Sequence, residues 1–346
     1  MKISIAMCTY NGEIYIEEQL KSIVSQTKQI DELIIVDDCS TDRTCNIIEQ
    51  FKDKLPIQLV INKNNLGVRE SFDKCILACS GDIIFTADQD DIWEKNKIQV
   101  MYETFQNNSN CMLAFSDATV VDSELNIIAN SGWDALCLDK CGIMYDNVSQ
   151  QKLINAIAYQ PVVFGNMMAL RGDFARKIFP MSHINGFMHD NWAAMCAPIY
   201  GGIVMVNKKL VKYRRHDKNV SSSMGYDMSE DGKTAYHIGR VLWFIRENYE
   251  KLDSFLKNVE NKGIVLPQEY KVHIEKYINT FSTMNSYKNL SSIKKLLYLI
   301  CFMNRKDIYE KFNLKKKDIL KYMLLQCKYQ KFSKKGSCSK SKSDYT

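Results

Sequence analysis

Several common sequence patterns are missing from this chain, and each absence narrows the possibilities. Its 12 cysteines in 346 residues are scattered and never form a C-x-x-C pair, which argues against zinc ribbons and disulfide frameworks. No run of 18 apolar residues occurs, and the most apolar stretch, residues 296–303, is too short to span a bilayer. With only 5 prolines and 15 glycines, collagen-like and low-complexity chains are excluded as well.

Two further absences concern function. No G-x-G-x-x-G follows the first predicted strand, so a dinucleotide-dependent oxidoreductase is disfavoured. The same loop lacks the glycine-rich, basic character that a nucleotidyltransferase needs to hold a triphosphate.

The N-terminal residues show no basic segment followed by a long apolar one, and we therefore expect a cytoplasmic protein with reduced thiols.

The charge of the chain is divided unevenly along its length. The total is +6, but residues 1–225 carry 22 basic against 27 acidic residues, and residues 226–346 carry 24 against 13. Between residues 305 and 342 there are 13 basic and 3 acidic residues. Such a concentration favours peripheral contact with an anionic membrane, with an ordinary solvated helical face as the alternative. No recognised nucleic-acid motif accompanies it.

Alternating strand and helix patterns organise the first third of the chain. Apolar runs predict four strands, at residues 2–7, 33–36, 57–61 and 83–86, with helical patterns between them. This alternation is typical of an α/β fold with a mainly parallel sheet covered by helices on both faces. Farther along, the pattern predicts a helix near 190–197 and a hairpin over 203–213. Residues 1–225 are expected to form one domain, 226–333 a basic helical region, and 334–346 a disordered tail.

Polar residues follow three of the four predicted strands. They are Cys8 to Gly12 after the first strand, Asp37-Asp38 after the second, and Asp88-Gln89-Asp90-Asp91 after the fourth. Ligands of parallel sheets bind outside the carboxyl ends of the strands, so these segments should line one crevice. Clustered carboxylates repel one another and suit Mg²⁺ or Mn²⁺ bound to a diphosphate. An acidic turn that merely caps the next helix is the alternative.

The order of these motifs resembles the family 2 glycosyltransferases of the GT-A fold, a Rossmann-like nucleotide-diphospho-sugar transferase fold. That family opens with T-Y-N, continues with V-D-D-x-S-x-D-x-T and an N-x-G turn, and reaches a D-x-D motif. Here the motifs stand at residues 9–11, 36–44, 65–67 and 88–90. The resemblance is specific over about residues 1–115, the expected nucleotide-binding half, and looser over 116–225, the expected acceptor half.

The resemblance implies roles for individual residues. Thr9, Tyr10 and Asn11 should line the nucleotide pocket, Asp38 should accept a hydrogen bond from the base, and Gly67 should allow close backbone approach. Asp88 should contact the ribose or the metal region. Asp90 should bind the Mn²⁺ or Mg²⁺ ion that neutralises the departing nucleoside diphosphate.

A sugar hydroxyl needs a general base to become a nucleophile. Residues 186–192 resemble the family segment that supplies this base at the start of a helix, and Asp190 is the candidate. The alternative is that Asp190 caps that helix or interacts favourably with its dipole. His189 departs from the commoner Glu-Asp pair. On the acceptor side, Gly165 and Asn166 are expected to shape the site, and Trp93 and Trp192 to stack on sugar rings. Core packing is the preferred alternative for both tryptophans.

The segment Tyr213-Arg214-Arg215-His216 resembles a Tyr-Arg-x-His segment of family members that act on bacterial polysaccharides. Arg214 and His216 are therefore expected to reach the diphosphate or its metal ion, a structural histidine being the alternative. The Q-x-x-R-W segment of processive members is missing. The resemblance thus implies an inverting, non-processive transferase of rhamnosyltransferase-like type, acting on a glycan or lipid-linked glycan. A catalytically silent adaptor that binds a membrane or partner is the alternative.

Overall fold

The computed structural model describes residues 1–136, 138, 148–159, 162–181, 187–219, and 252–278 except 269, 273, 276 and 277. The strands in these segments are β1 (Ile3–Thr9), β2 (Glu32–Asp37), β3 (Ile57–Ile61), β4 (Ile83–Ala87), β5 (Ile92–Trp93), β6 (Cys111–Val121), β7 (Ile127–Ala129), β8 (Met168–Arg171) and β9 (Gly202–Arg214). The helices before residue 201 are α1 (Ile16–Val24), α2 (Thr44–Glu49), α3 (Val68–Ala78), α4 (Lys97–Asn107), α5 (Gly132–Ala135), α6 (Gln150–Tyr159), α7 (Gly172–Ile178) and α8 (His189–Tyr200).

The described strands form one sheet in the order β3-β2-β1-β4-β8-β6-β9-β5, with β7 beside β6. Its first half is parallel throughout, since β1 pairs with β2 and β4, and β2 pairs with β3. The strands β1, β2 and β4 are almost wholly buried, as expected for a parallel sheet covered on two sides. The four strands predicted from the sequence are confirmed, and their carboxyl ends reach the same edge.

Beyond β4 the sheet becomes mixed. β8 pairs antiparallel with both β4 and β6, while the long strand β9 runs parallel to β6 and antiparallel to β5. The predicted hairpin over residues 203–213 is wrong, because these residues belong to the single strand β9. The polar break at Asn207 and Lys208 is instead a bulge, where the register passes from Val206 opposite Ser116 to Lys209 opposite Asp117.

The described part of the basic C-terminal region packs on α8. Phe255, in a helix spanning residues 252–261, is fully buried, with its ring centroid 5.7 Å from that of Trp192. The hydroxyl of Tyr270 donates a hydrogen bond to the carbonyl of Met195 at 2.7 Å. This segment therefore shares the hydrophobic core of the sheet domain. The expected boundary at 225, the basic segment 305–342 and the tail 334–346 lie outside the described residues.

Within the described segments, no helix combines the length and the apolar character needed to cross a bilayer.

Candidate functional site

The loops after β1 and β2 are interlocked by hydrogen bonds. Thr9 is buried, and its hydroxyl donates to Oδ2 of Asp37 at 2.7 Å, while the backbone N–H of Asp38 donates to the carbonyl of Thr9 at 2.8 Å. Oδ1 of Asn11, a residue with φ of 46°, accepts from the N–H of Thr41 at 2.9 Å. The two strand ends thus lie together, as predicted. The Thr9 hydroxyl forms its hydrogen bond within the protein, to Asp37.

Asp38 organises the loop that contains the predicted Asn-x-Gly turn. Its Oδ1 accepts from the N–H of Leu66 at 2.8 Å and from Nδ2 of Asn62 at 2.9 Å, and its Oδ2 accepts from the N–H of Gly67 at 2.8 Å. Burial raises the pKa of Asp38, but these hydrogen bonds and one from Ser71 outweigh it, so the pKa is lowered overall. A hydrogen bond from the base of the nucleotide to Asp38 stays a prediction. The carboxylate oxygens that would accept it already accept hydrogen bonds from this loop.

Gly67 adopts φ of +82°, a conformation that favours glycine, and a Cβ there would meet no atom within 4 Å. The backbone conformation therefore explains the glycine at this position. Close approach of a ligand to this glycine stays a prediction.

Gln89, which the sequence reasoning did not single out, connects the β1 loop to the acidic loop after β4. Its Oε1 accepts from the N–H of Tyr10 at 2.9 Å, and its Nε2 donates to the carbonyl of Tyr10 at 3.0 Å. A Cβ on Gly12 would lie 2.2 Å from the same Oε1. The Tyr10 side chain remains 47% exposed. The position of Gln89 inside the acidic motif was the available signal.

Four carboxylates converge at the carboxyl end of β4. Burial raises the pKa of Asp88 well above its usual value, and the charges of Asp91, Asp90 and Asp190 raise it further. Burial, followed by the charge of Asp90, raises the pKa of Asp91 to about 7. In both cases Lys97 opposes the shift. The structure therefore brings the acidic loop and the predicted base close enough to repel one another, an arrangement that favours binding of a cation.

His216 meets Asp90 in this cluster. Its Nε2 lies 2.9 Å from Oδ2 of Asp90, and Nδ2 of Asn219 lies 3.3 Å from the same oxygen. The imidazole stacks on Tyr15, with ring centroids 4.7 Å apart. The sequence-predicted pair Asp90 and His216 is thus brought together, and Asn219 and Tyr15 are partners that the sequence reasoning did not identify.

The donor atoms around Asp90 fit a divalent cation that shares its coordination with a substrate. Among the described residues, no group of three or more His, Cys, Asp or Glu side chains is arranged to hold a metal ion. Mg²⁺ characteristically uses one or two carboxylates together with phosphate oxygens. Asp90, with His216 beside it and Asp88 nearby, matches such a small donor set.

Arg214 lies inside the protein, against the acidic loop. The residue is only 2% exposed, and its guanidinium donates to the carbonyl of Asp90 at 2.9 Å, to the carbonyl of Ser123 at 2.7 Å, and to the carboxylate of Glu18. Its backbone N–H donates to Oδ1 of Asp91 at 3.0 Å. Three guanidinium hydrogen bonds thus hold Arg214 inside the protein, where it braces the acidic loop. Its expected contact with a diphosphate stays a prediction.

Asp190 lies in the first turn of α8, and the residue that caps this helix is Met188. Oδ1 of Asp190 accepts from the N–H of Asn191 at 2.6 Å, and Oδ2 accepts from the N–H of Gly165 at 3.2 Å. The side chain retains 9% exposure. Asp190 is therefore not the N-cap residue, but it accepts a first-turn N–H and lies where the helix dipole favours a negative charge. Its orientation also depends on the backbone of a different segment, at Gly165.

His189 packs under that segment. Its ring stacks on Phe72 with centroids 3.7 Å apart, and neither of its ring nitrogens has a hydrogen-bond partner among the described residues. Burial lowers its pKa, against the opposing charges of Asp190 and Asp73. A Cβ on Gly165 would lie 2.3 Å from Nε2 of His189, so the close contact between the two residues requires a glycine.

The remaining residues predicted for the acceptor side are buried. Asn166 is 1% exposed, and its Nδ2 donates to Oδ2 of Asp91 at 2.6 Å. Trp192 is fully buried, and its indole N–H donates to the carbonyl of Ile178 at 3.0 Å. Stacking of Trp192 on a sugar does not agree with this placement, because the ring lies inside the core, and Trp93 is likewise buried. Core packing, the alternative, describes both tryptophans.

The chain is similar in sequence to known glycosyltransferases. Residues 4–129 match the family model described as Glycosyl transferase family 2. An uncharacterized glycosyltransferase of Nostoc sp. is 28% identical over 238 residues, covering 66% of this chain and 70% of the relative. The dTDP-rhamnosyl transferase RfbG of Shigella flexneri is 43% identical over 113 residues, covering 30% of this chain and 39% of the relative.

Among solved structures, S. aureus TarS residues 1–349 in complex with UDP superposes with a TM-score of 0.53 at 16% identity. The match covers 86% of this chain and 78% of that one. At this identity the likeness concerns the fold alone, and it confirms the GT-A architecture of the sheet domain.

Proposed function

We propose, from the premise that this chain is a glycosyltransferase with a family 2 domain, that it transfers one sugar per encounter, with inversion, from a pyrimidine nucleoside diphosphate donor. The acceptor is a hydroxyl of a bacterial surface glycan. The nucleotide half of the proposal is supported by the UDP bound in the TarS structure and by the dTDP in the name of the RfbG relative. The glycan half is supported by relatives named for polysaccharide synthesis, such as a putative teichuronic acid biosynthesis glycosyltransferase of Bacillus subtilis.

The convergence of Asp190 with the acidic loop carries this proposal. Asp190 is close enough to Asp88 for its charge to raise the pKa of that residue, yet it belongs to a helix that starts about a hundred residues later. Direct displacement at an anomeric carbon needs a carboxylate on the acceptor side and charge stabilisation on the leaving-group side. Asp190 fits the first requirement, and a single base of this kind corresponds to inversion.

The leaving-group side is assigned to Asp90, with His216 and Asp88. A divalent cation bound there would neutralise charge on the departing diphosphate. Other side chains keep these candidate metal ligands in place. Arg214 links the backbone of the acidic loop to Ser123 and Glu18 by hydrogen bonds, and Gln89 links the loop to Tyr10.

On the acceptor side, the Gly165 N–H holds one carboxylate oxygen of Asp190, and the Asn191 N–H holds the other. These bonds fix the orientation in which Asp190 would take the proton of the attacking hydroxyl. Oδ1 of Asp190 also accepts from Nδ2 of Asn191 at 3.1 Å, whereas Oδ2 has the Gly165 N–H as its one hydrogen-bond donor among the described residues. Because a carboxylate oxygen can accept more than one hydrogen bond, Oδ2 is the atom assigned to take the proton of the sugar hydroxyl.

A catalytically silent adaptor remains the second candidate. It would use the basic region beyond residue 225 to bind a membrane or partner, and it has no need for the acids of the site. The presence of Asp88, Asp90 and Asp190 in one cluster favours the transferase.

The proposal is tested by a panel of UDP- and dTDP-linked sugars, each measured with and without Mn²⁺ for thermal stabilisation and for slow hydrolysis. We expect one donor class to raise the melting temperature only when Mn²⁺ is present, and to be hydrolysed. If no nucleotide sugar stabilises the protein under either condition, the transferase assignment fails and the adaptor is favoured.

A further inference from the structure

Lys97 is the most unusual side chain near the site. It is fully buried, and it occupies the first residue of α4, where the helix dipole disfavours a cation. A buried lysine is costly unless its nitrogen is engaged. Here Nζ donates to the backbone carbonyl of Asn166 at 2.5 Å and lies 3.7 Å from the ring centroid of Trp93.

The carbonyl that Lys97 holds belongs to a single 3-10 turn, Gly165–Met167. The same turn is held by two other groups from the donor side. The hydroxyl of Thr86, in β4, donates to the carbonyl of Gly165, and Nδ2 of Asn166 donates to the carboxylate of Asp91 at 2.6 Å.

The turn, in its own right, contacts the proposed base. The N–H of Gly165 donates to Oδ2 of Asp190 at 3.2 Å. A continuous hydrogen-bonded path therefore runs from α4 and the acidic loop, through the turn, to the carboxylate on α8. Among the hydrogen bonds of the described residues, none joins Lys97 or Thr86 directly to Asp190, so a hydrogen-bonded link from either residue to Asp190 passes through the turn.

We propose that Lys97 is a positioning residue, which fixes the Gly165–Met167 turn against the acidic loop and thereby sets the orientation of Asp190 relative to the bound donor. This inference rests on the proposed function, because it assigns Lys97 a part in the transfer step. A tether of this kind affects the rate of the step more than binding of the donor, since small displacements of a base are costly to catalysis.

A role limited to packing makes a different prediction. Methionine has a similar length and volume and suits the apolar surroundings, so it preserves packing while removing the donated hydrogen bond. If Lys97 only fills space, Lys97→Met leaves turnover unchanged in the fraction of protein that is folded. Lys97→Met also removes the positive charge that opposes the raised pKa of Asp88 and Asp91, so the tether is also tested by a variant that removes a hydrogen bond and no charge.

The experiment compares the wild type with Lys97→Met, Thr86→Val and Lys95→Met. Thr86→Val is isosteric and removes an independent tether of the same turn, so it tests the inference even if Lys97→Met folds poorly. Lys95→Met is the matched control, because Lys95 is exposed and lies two residues before α4. Two quantities are measured: kcat and KM for the donor, and hydrogen exchange of the peptide that contains residues 162–171.

For Lys97→Met we expect kcat to fall by about tenfold or more with the donor KM changed less than about threefold, and the turn to exchange faster. Thr86→Val should change both quantities in the same direction, and Lys95→Met should match the wild type. Unchanged kcat and unchanged exchange in both tether variants would overturn the inference, as would a fall in kcat that only follows the folded fraction.

The exchange measurement separates this inference from the proposed function. If the wild type transfers no sugar, the proposed function fails, and exchange of the turn alone decides whether Lys97 fixes it. Faster exchange in Lys97→Met then supports the tether, and wild-type exchange rejects it.

Discussion

Nε2 of His216 lies 2.9 Å from Oδ2 of Asp90, although 126 residues separate the two in the chain. Asp90 follows β4 in the parallel half of the sheet, and His216 follows β9 in the mixed half. The two side chains can meet only after both halves have folded onto each other. Metal binding at this pair should therefore report on the assembled site.

Replacing Asp90 by Asn removes one negative charge and keeps the shape of the side chain. Because a divalent cation prefers carboxylate oxygen, we expect Mn²⁺ affinity in the presence of UDP to fall by about tenfold or more. Electron paramagnetic resonance of free Mn²⁺ measures this directly. Asp53→Asn, at an exposed position, is the control and should bind as the wild type does. Equal affinity in the Asp90 variant would remove this residue from the metal site.

A methyl group at position 165 tests the contact under the proposed base. In Gly165→Ala the new Cβ would lie 2.3 Å from Nε2 of His189, and such overpacking typically costs about 1–3 kcal/mol. We expect urea denaturation to show this loss, together with slower transfer because the Gly165 N–H holds Asp190. Adding His189→Ala makes room for the methyl group and should recover part of the stability. Full stability in the single variant would contradict the tight packing described above.

His189 should make stability depend on pH. Burial lowers its pKa in the folded protein, while the unfolded chain takes up a proton near pH 6.5. Below about pH 6.5 the unfolded state therefore binds more protons than the folded state, and the free energy of unfolding decreases as the pH falls. Above that pH the contribution of this group is fully present.

The measurement is the urea midpoint of the wild type and of His189→Leu between pH 5 and 7.5. The variant should show a flatter dependence on pH over this range, since it lacks the titrating ring. An identical slope in the two proteins would mean that other groups control the effect.

The parallel half of the fold could be predicted from the sequence because buried parallel strands are continuous apolar runs. The polar residues that follow these runs mark the edge of the sheet at the carboxyl ends of the strands. This logic placed Asp38, Asp88 and Asp90 correctly at strand ends. The sequence could not show that Arg214 donates hydrogen bonds to the carbonyls of Asp90 and Ser123. Every residue has a backbone carbonyl, so a sequence pattern does not reveal which carbonyls a side chain will bind.

The mixed half was harder to predict for similar reasons. The polar residues Asn207 and Lys208 resemble a turn, and only the pairing with β6 shows that they form a bulge in one strand. Trp192 lies two residues after Asp190 in the same helix, and yet its ring is buried in the core. Its position in the helix does not by itself show which way the ring faces. Lys97 was not singled out from the sequence, since its burial depends on the segments that fold over it.

The central claim is that Asp190 is the base opposite the donor, and Asp190→Asn with a matched control tests it most directly. Asp173→Asn is that control, because Asp173 also lies in the first turn of a helix and also accepts from the next N–H, but is exposed. The measurement is the rate of transfer beside the dissociation constant of the donor in the presence of Mn²⁺. We predict that Asp190→Asn binds the donor within about threefold of the wild type and transfers about 10²–10⁴ times more slowly, while Asp173→Asn is unaffected. Transfer by Asp190→Asn at a rate near that of the wild type would contradict the account.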